Sequence, residues 1–368
     1  MSPRFSVLIP AWNGAAVLGG AIDSVLAQTC PDWELIVGDN ASDEDLSAIV
    51  AGHPDARIRS VRFSDHVGIF DNFNRTFALA QGDWVYLLPT DDRLTPECLA
   101  RIGEAIDANL DQPRRLALVT SQANRIDPEG RPFEREYYGF EGAGCLPGGR
   151  HDAGSWMKAI CLPGSPPWEG GAFRREIVGE MGVFFQHDEP SMSADLELTL
   201  RVAAYGDVVY LAEPLISVTG WTESHTTGRR ARNRASGEAG TPESLALASA
   251  LRVHEARRTV TPDELAAVHG AMARSFLRRA TAHRTRPGGR GRRAALRDVR
   301  SAVRLGGRQV MGRAVALAVV LTVMPRCLVS PLRAAAITIR GRRRAPVPPT
   351  PRAKAAETTT APTVPAAP

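Results

Sequence analysis

Residues 5–40 read FSVLIPAWNGAAVLGGAIDSVLAQTCPDWELIVGDN. Phe5 to Pro10 is a short apolar, β-prone run, Asn13-Gly14 is a turn signal, and Val17, Leu18, Ile22, Val25 and Leu26 fall at helical spacing. Trp33 to Val37 repeats the strand pattern and stops at Gly38-Asp39-Asn40, which makes the stretch a β-α-β unit. Outward from it, Ser42 or Asp43 is placed to cap a helix through Leu46, Ile49 and Val50. Ile58 to Phe63 predicts a third strand, Phe70 to Ala80 a third helix, and Trp84 to Leu88 a fourth strand. This alternation predicts an α/β fold: a mostly parallel, Rossmann-like central sheet with right-handed crossovers, flanked by helices. Leu116 to Ser121 reads as a further strand, and Asp127-Pro128-Glu129-Gly130 as a hairpin turn.

Ligands of such sheets sit at the carboxyl ends of the strands, where loops vary without disturbing the core. The polar residues obey that rule. Ala11-Trp12-Asn13 follows the first strand, Asp39 the second, Ser64-Asp65-His66 the third and Thr90-Asp91-Asp92 the fourth. Adjacent carboxylates at 91 and 92, with Asp39 as a third, form an acidic site for a hard divalent cation. Turn chemistry before the next helix is the alternative for Asp91-Asp92, but Thr95 followed by Pro96 already supplies a helix start.

The chain has 368 residues, 43% hydrophobic and 23% charged, a globular composition. The longest apolar runs fall short of the roughly 18 residues of a spanning helix, and the N-terminal residues lack a signal-peptide pattern. Five scattered cysteines, Cys30, Cys98, Cys145, Cys161 and Cys327, fit a reducing cytoplasm better than a disulfide framework. Residues 1–225 hold 17 Arg and Lys against 33 Asp and Glu, whereas residues 226–368 hold 28 against 7. An acidic front is joined to a basic back, a pattern suited to meeting an anionic surface or simply to a solvated Arg-rich face.

The run from Ser6 to Asp45, followed by HVGIFDNFNRTFALAQGDWVYLLPTDDRLTP at 66–96, resembles the nucleotide-sugar half of a family 2 glycosyltransferase of GT-A fold. The likeness is close over about the first 100 residues and looser to about residue 225. It implies that Pro10, Trp12 and Asn13 line the nucleotide pocket, that Asp39 hydrogen-bonds the base, and that Asp91 and Asp92 meet the ribose-diphosphate and a Mn²⁺ or Mg²⁺ ion, with Asp92 the direct ligand. The chain departs from the family's commoner pattern in Pro89 and Gly38, each standing where an aspartate is frequent.

Glycosyl transfer builds negative charge on the leaving diphosphate. Between Arg4 and Arg57 there is no Lys or Arg, so the first loop carries no basic phosphate clamp and a bound cation is the substitute. The same absence disfavours a sugar nucleotidyltransferase. The acceptor hydroxyl needs a general base. Residues 193–211 resemble the family's acidic helix start with Leu-x-Leu-Arg, in which Asp195 matches the base; its other reading is an acidic residue favouring a helix N-terminus. Glu197, one turn from Arg201, reads as a surface or bracing pair. By the same resemblance Trp168 borders the acceptor as a sugar-stacking ring, or else anchors its Pro-rich loop, and His225 approaches the metal, or else is an exposed histidine.

In the back half, Thr241-Pro242-Glu243 and Thr261-Pro262-Asp263-Glu264 are helix starts, the second with capping-box spacing. Arg-rich residues crowd 278–300, and Ala314 to Met324 is an uncharged run suited to an interfacial helix on anionic lipid or to docking on the catalytic domain. The expected organisation is a GT-A domain over 1–225 (nucleotide-sugar half 1–100, acceptor half 101–225), a helical basic extension over 226–310, an amphipathic segment over 311–344 and a disordered Pro/Ala/Thr tail over 345–368. The function it implies is an inverting enzyme of cell-envelope polysaccharide synthesis that transfers sugar, UDP-sugar favoured, to a glycan or lipid-linked acceptor, cytoplasmic and peripheral on the inner membrane face. The alternative is a noncatalytic nucleotide-sugar-binding relative. Nucleic acid is not expected as a partner, because the basic tail lacks interleaved aromatics for base stacking.

Overall fold

The computed structural model describes residues 2–132, 148–161, 170–185, 194–220, 250–266, 268–270 and 299, with backbone alone at 159–161 and 194–196. The elements are β1 (Phe5–Ala11), α1 (Ala15–Leu26), β2 (Trp33–Asp39), α2 (Leu46–Ala51), β3 (Ile58–Arg62), α3 (Ile69–Phe77), β4 (Trp84–Leu87), β5 (Arg93–Leu94), α4 (Cys98–Asp107), β6 (Leu116–Ile126), β7 (Gly149–His151), α5 (Ala153–Cys161), β8 (Gly171–Arg174), α6 (Arg175–Met181), α7 (Ala194–Ala203) and β9 (Asp207–Thr219). Residues 250–257, 262–266 and 268–270 are helical too.

One sheet runs in the order β3-β2-β1-β4-β8-β6-β9-β5, with β7 paired to β9. The strands β3, β2, β1 and β4 are parallel to their neighbours, as the alternating pattern requires. Beyond β4 the pairing is mixed: β8 runs antiparallel to β4 and β6, while β6 and β9 are parallel. Every residue of β1 is buried, because helices cover both faces and a strand so placed reads as continuous hydrophobic sequence. Its odd positions Phe5, Val7 and Ile9 pack with Leu18, Ile22, Val25, Leu99 and Ile102 of α1 and α4. Leu8 points the other way, into a core with Trp156, Phe173, Phe184 and Leu198.

Two helix starts differ from expectation. The α2 cap is Asp45, whose carboxylate accepts from Ala48 N at 3.2 Å, because Ser42 and Asp43 are drawn to the loop after β1. At α4 the helix begins at Cys98, not Pro96, and Thr95 does not cap it; Gln28, on the loop after α1, accepts from Leu99 N at 2.9 Å through Oε1 and donates to Thr95 O at 2.7 Å through Nε2. The capping box at 261–264 forms as read: Glu264 N donates to Thr261 Oγ1 at 3.2 Å and Thr261 N to Glu264 Oε2 at 3.0 Å. Cys30 and Cys98 are free thiols, and burial pushes Cys98 up to about 12. Among the described residues no helix is long and apolar enough to cross a membrane. The Arg-rich stretch 278–298, residues 311–344 and the tail 345–368 lie outside the described residues.

Candidate functional site

The carboxyl ends of β1 to β4 are tied together by side chains from their own loops. Asn13 and Gly14, with φ of 56° and 88°, adopt left-handed backbone where β1 turns into α1, a conformation glycine takes freely and asparagine at small cost. Asn13 stitches the first loop to the second: its backbone N donates to Ser42 Oγ at 2.8 Å and its side-chain carbonyl accepts from Asp43 N at 2.9 Å. The Glu44 carboxylate accepts from Ala15 N at 2.8 Å, satisfying an amide of the α1 N-terminus. A carbon added to Gly14 would lie 3.3 Å from Thr90 Cγ2, so the fourth loop sits against the first.

Asn40 holds the third loop, donating to Val67 O and accepting from Val67 N, both at 3.0 Å. Arg75 of α3 reinforces it. Its guanidinium donates to Asn40 Oδ1, to Asp65 O at 3.1 Å and to Asn72 Oδ1 at 3.0 Å, and lies 3.8 Å over the Phe63 ring. Trp12 stands on this rim 47% exposed, its ring 4.8 Å from that of His66. Pro10 is buried within β1, opposite Gly38, and so lies beneath the rim rather than on it.

Asp39 is 2% exposed. Its Oδ1 accepts from Ser42 N at 2.9 Å and its Oδ2 from Arg62 Nη1 at 2.7 Å, while Arg62 Nη2 donates to Ser42 O at 2.8 Å. Both oxygens are engaged on the β2–β3 side, which corrects the expectation of Asp39 as a third carboxylate of an ion site. The Asp91-Asp92 turn is closed by the last residue of β9: Thr219 N donates to Asp92 Oδ1 at 2.9 Å and Thr219 Oγ1 to the Asp91 carbonyl. The pair does lie in a turn, with Asp92 N donating to Pro89 O at 3.2 Å, and neither carboxylate caps α4.

Among the described residues no three His, Cys, Asp or Glu side chains gather to hold an ion. Adjacent carboxylates on one turn nevertheless fit Mg²⁺ or Mn²⁺, which take one or two carboxylates and complete their shell with substrate phosphates. Asp195 lies in the first turn of α7, where the backbone alone is described; Trp168 and His225 lie outside the described residues. Glu197 and Arg201 are a bracing pair and not a surface one: both are buried, with Arg201 Nε donating to Glu197 Oε1 at 2.8 Å. Burial pushes the Glu197 carboxyl up against the opposing pull of Arg201.

The sequence places Asn40 and His66 at strand ends without giving them a role, and it does not point to Arg62, Arg75 or Thr219. Arg62 is the direct partner of Asp39 in the β2–β3 register, a pairing that the order of residues alone does not give. Thr219 lies 127 positions from Asp92.

Residues 6–153 match the family model described as Glycosyl transferase family 2. Among similar proteins, the PGL/p-HBAD biosynthesis glycosyltransferase Rv2957 of Mycobacterium tuberculosis is 38% identical over 109 residues, covering 28% of this chain and 42% of that protein. The succinoglycan biosynthesis protein ExoO of Rhizobium meliloti is 33% identical over 106 residues, 29% of this chain and 30% of that protein. The chain thus spans less than half the length of these relatives. In fold it is similar to S. aureus TarS 1-349 in complex with UDP-GlcNAc, with TM-score 0.59 and 13% identity over 90% of this chain and 92% of that one. It is also similar to the mannosyltransferase PcManGT from Pyrobaculum calidifontis in complex with GDP-Man and Mn²⁺, with TM-score 0.52 and 17% identity over 93% and 83%. The mixed α/β sheet flanked by helices is that of GT-A glycosyltransferases.

Proposed function

Residues 6–153 match the model of glycosyl transferase family 2, and on that premise we propose that the chain is an inverting glycosyltransferase of that family. It moves a sugar from a nucleoside-diphosphate donor, UDP-sugar favoured, to a glycan or lipid-linked acceptor in building a cell-envelope polysaccharide. The observation that carries this reading is the rim itself: Trp12, the Asp39–Arg62 pair and the Asp91-Asp92 turn come from loops joined by Asn13, Ser42 and Thr90.

On this reading the exposed Trp12 ring stacks on the base. The Asp39 carboxylate accepts from the N3–H of uracil while Arg62 donates to a neighbouring carbonyl, a pattern that cytosine, with no N3–H, does not offer. Asp91 and Asp92 meet the ribose and diphosphate. A divalent ion, Mn²⁺ or Mg²⁺, held by Asp92 with His225, supplies when bound the positive charge that offsets the leaving diphosphate. Asp195 takes the proton from the acceptor hydroxyl as that oxygen attacks the anomeric carbon from the face opposite the diphosphate, and this single displacement inverts the configuration. Trp168 lines the acceptor side, and the segment 311–344 holds the protein on the inner membrane face.

A thermal-shift panel of UDP, GDP, CDP and UDP-sugars, each with and without Mn²⁺, tests the donor assignment, because a ligand that binds the native state alone raises the melting temperature. UDP and a UDP-sugar should give the largest Mn²⁺-dependent shifts. No shift with any diphosphate would end the proposal.

A further inference from the structure

The turn formed by Val183, Phe184 and Phe185 is held by side chains from two helices, α3 and α7. From α3, Asn74 Nδ2 donates to Phe185 O and Asn74 Oδ1 accepts from Phe185 N, both at 2.8 Å. From α7, Arg201 Nη1 donates to Val183 O at 3.1 Å and Nη2 to Phe184 O at 2.7 Å, while its Nε is paired with Glu197. The two phenylalanines fill the space between: Phe184 stacks on Phe77 at 5.2 Å and Phe185 on Phe70 at 5.2 Å, with Phe73 edge-on at 5.1 Å.

Stability alone does not call for this arrangement. A buried ion pair is on average no more stabilising than well-packed apolar side chains of the same volume, and its best-attested use is to specify one geometry. The two helices also carry different parts of the site. The α3 helix leaves the third rim loop, and its Arg75 and Asn72 anchor Asn40, Asp65 and the strand ends at Ala11 and Gly38. The α7 helix begins with Ala194 and Asp195, two residues before Glu197.

We propose that Asn74 and the Glu197–Arg201 pair are positioning residues, clamping the 183–185 turn from both sides so that the first turn of α7, with Asp195, is held at a fixed distance from the nucleotide rim. The inference rests on the assignment of Asp195 as the base. None of the three residues needs to touch donor or acceptor; each acts through the turn, and a displacement on the order of 1 Å at the base suffices to slow transfer by up to about 100-fold.

The test uses the full chain, UDP with Mn²⁺ as the binding probe, and UDP release from the UDP-sugar that the wild-type protein turns over as the rate probe. In the double variant Glu197→Met/Arg201→Met both charges leave together, so no unpaired ion stays buried. It should stay folded but melt lower, because the Val183 and Phe184 carbonyls lose their donors, bind UDP within about twofold and keep the donor KM, yet lose about 10- to 100-fold in kcat. Its pH–rate profile should keep its midpoint and lose only height. Asn74→Ala should show the same split, and its combination with the double variant should cost less than the product of the two effects, because both act on one turn.

A double variant that folds, binds UDP and turns over at the wild-type rate overturns the proposal; if it does not fold, the Asn74→Ala arm decides alone by the same criterion. Asp195→Asn measured alongside separates the failures. If it is inactive while the clamp variants are fully active, only the positioning claim falls. If it is fully active, the base assignment falls and the inference with it.

Discussion

Arg62 closes on Asp39 at 2.7 Å across the ends of β3 and β2, one partner half-exposed and the other almost completely buried. The carboxylate is therefore held in place and already carries a counter-charge, which on the proposed function prepares it for a base. Arg62→Met should weaken UDP binding by about tenfold, the scale of one hydrogen bond to a charged group, and should erase the preference for UDP over CDP. Isothermal titration at fixed Mn²⁺ reads both; unchanged UDP affinity would remove Arg62 from the pocket.

Thr219 is the far anchor of the acidic turn. Thr219→Val keeps the amide donor to Asp92 but deletes the hydroxyl bond to the Asp91 carbonyl. The expected cost is about 1 kcal/mol of stability, with a weaker enhancement of UDP binding by Mn²⁺. Manganese titration followed by electron paramagnetic resonance measures the second effect. A variant that loses stability but binds Mn²⁺–UDP as before would make Thr219 a brace of the fold alone.

Gly38 explains one departure from the family pattern. A carbon added there would lie 2.1 Å from Thr76 Oγ1 and 2.8 Å from its Cγ2, and Thr76 is fully buried on α3. The space that an aspartate would need is occupied by threonine. Gly38→Ala should destabilise by about 1–3 kcal/mol, as overpacking does. Adding Thr76→Gly should recover stability despite the intrinsic penalty of glycine in a helix. Urea melts of the single and double variants decide, and a double variant less stable than Gly38→Ala would refute the steric account.

His254 joins the helical residues 250–257 to α7. Its Nε2–H donates to the Leu200 carbonyl at 2.7 Å, so Nδ1 accepts from Thr259 Oγ1 at 2.8 Å. Burial holds the imidazole below its ordinary value of 6.5, helped by Arg114 and opposed by the Leu200 bond. The unfolded chain then binds the extra proton first, so the His254 contribution is present above about pH 6.5 and is lost as pH falls toward the folded-state value. The denaturation midpoint of the wild type should drop from pH 7.5 to pH 5.5 more than that of His254→Gln, which keeps a donor toward Leu200. Parallel pH dependences would contradict the assignment.

The sequence makes the parallel half of the sheet legible because each of β1 to β4 is a local pattern, apolar run then polar loop, and needs no distant partner to be recognised. It also makes Asp91-Asp92 and Trp12 legible, since a strand's carboxyl end is a position in the chain. What it hides are contacts set by the tertiary fold. Gln28 replaces Thr95 as the α4 cap from 71 residues away. Ser42 is taken by Asn13 and leaves capping to Asp45. The Asn74–Phe185 clip spans 111 residues. The order of β8, β6 and β9 is similarly decided by packing against α5, α6 and α7 rather than by any local signal. Asp39 is legible as a residue at the end of β2, whereas its partner Arg62 becomes visible only when the β2–β3 register is known.

In the proposed function a nucleoside diphosphate is held at the rim while Asp195 takes the proton of the acceptor hydroxyl. The most direct measurement is UDP release from a UDP-sugar, with UDP binding measured on the same samples, for the wild-type protein and Asp195→Asn. The account predicts Mn²⁺-dependent UDP binding in both and a fall in release of about 10²- to 10⁴-fold in the variant, the range a general base contributes. Release retained by Asp195→Asn, or UDP bound by neither protein, would contradict it.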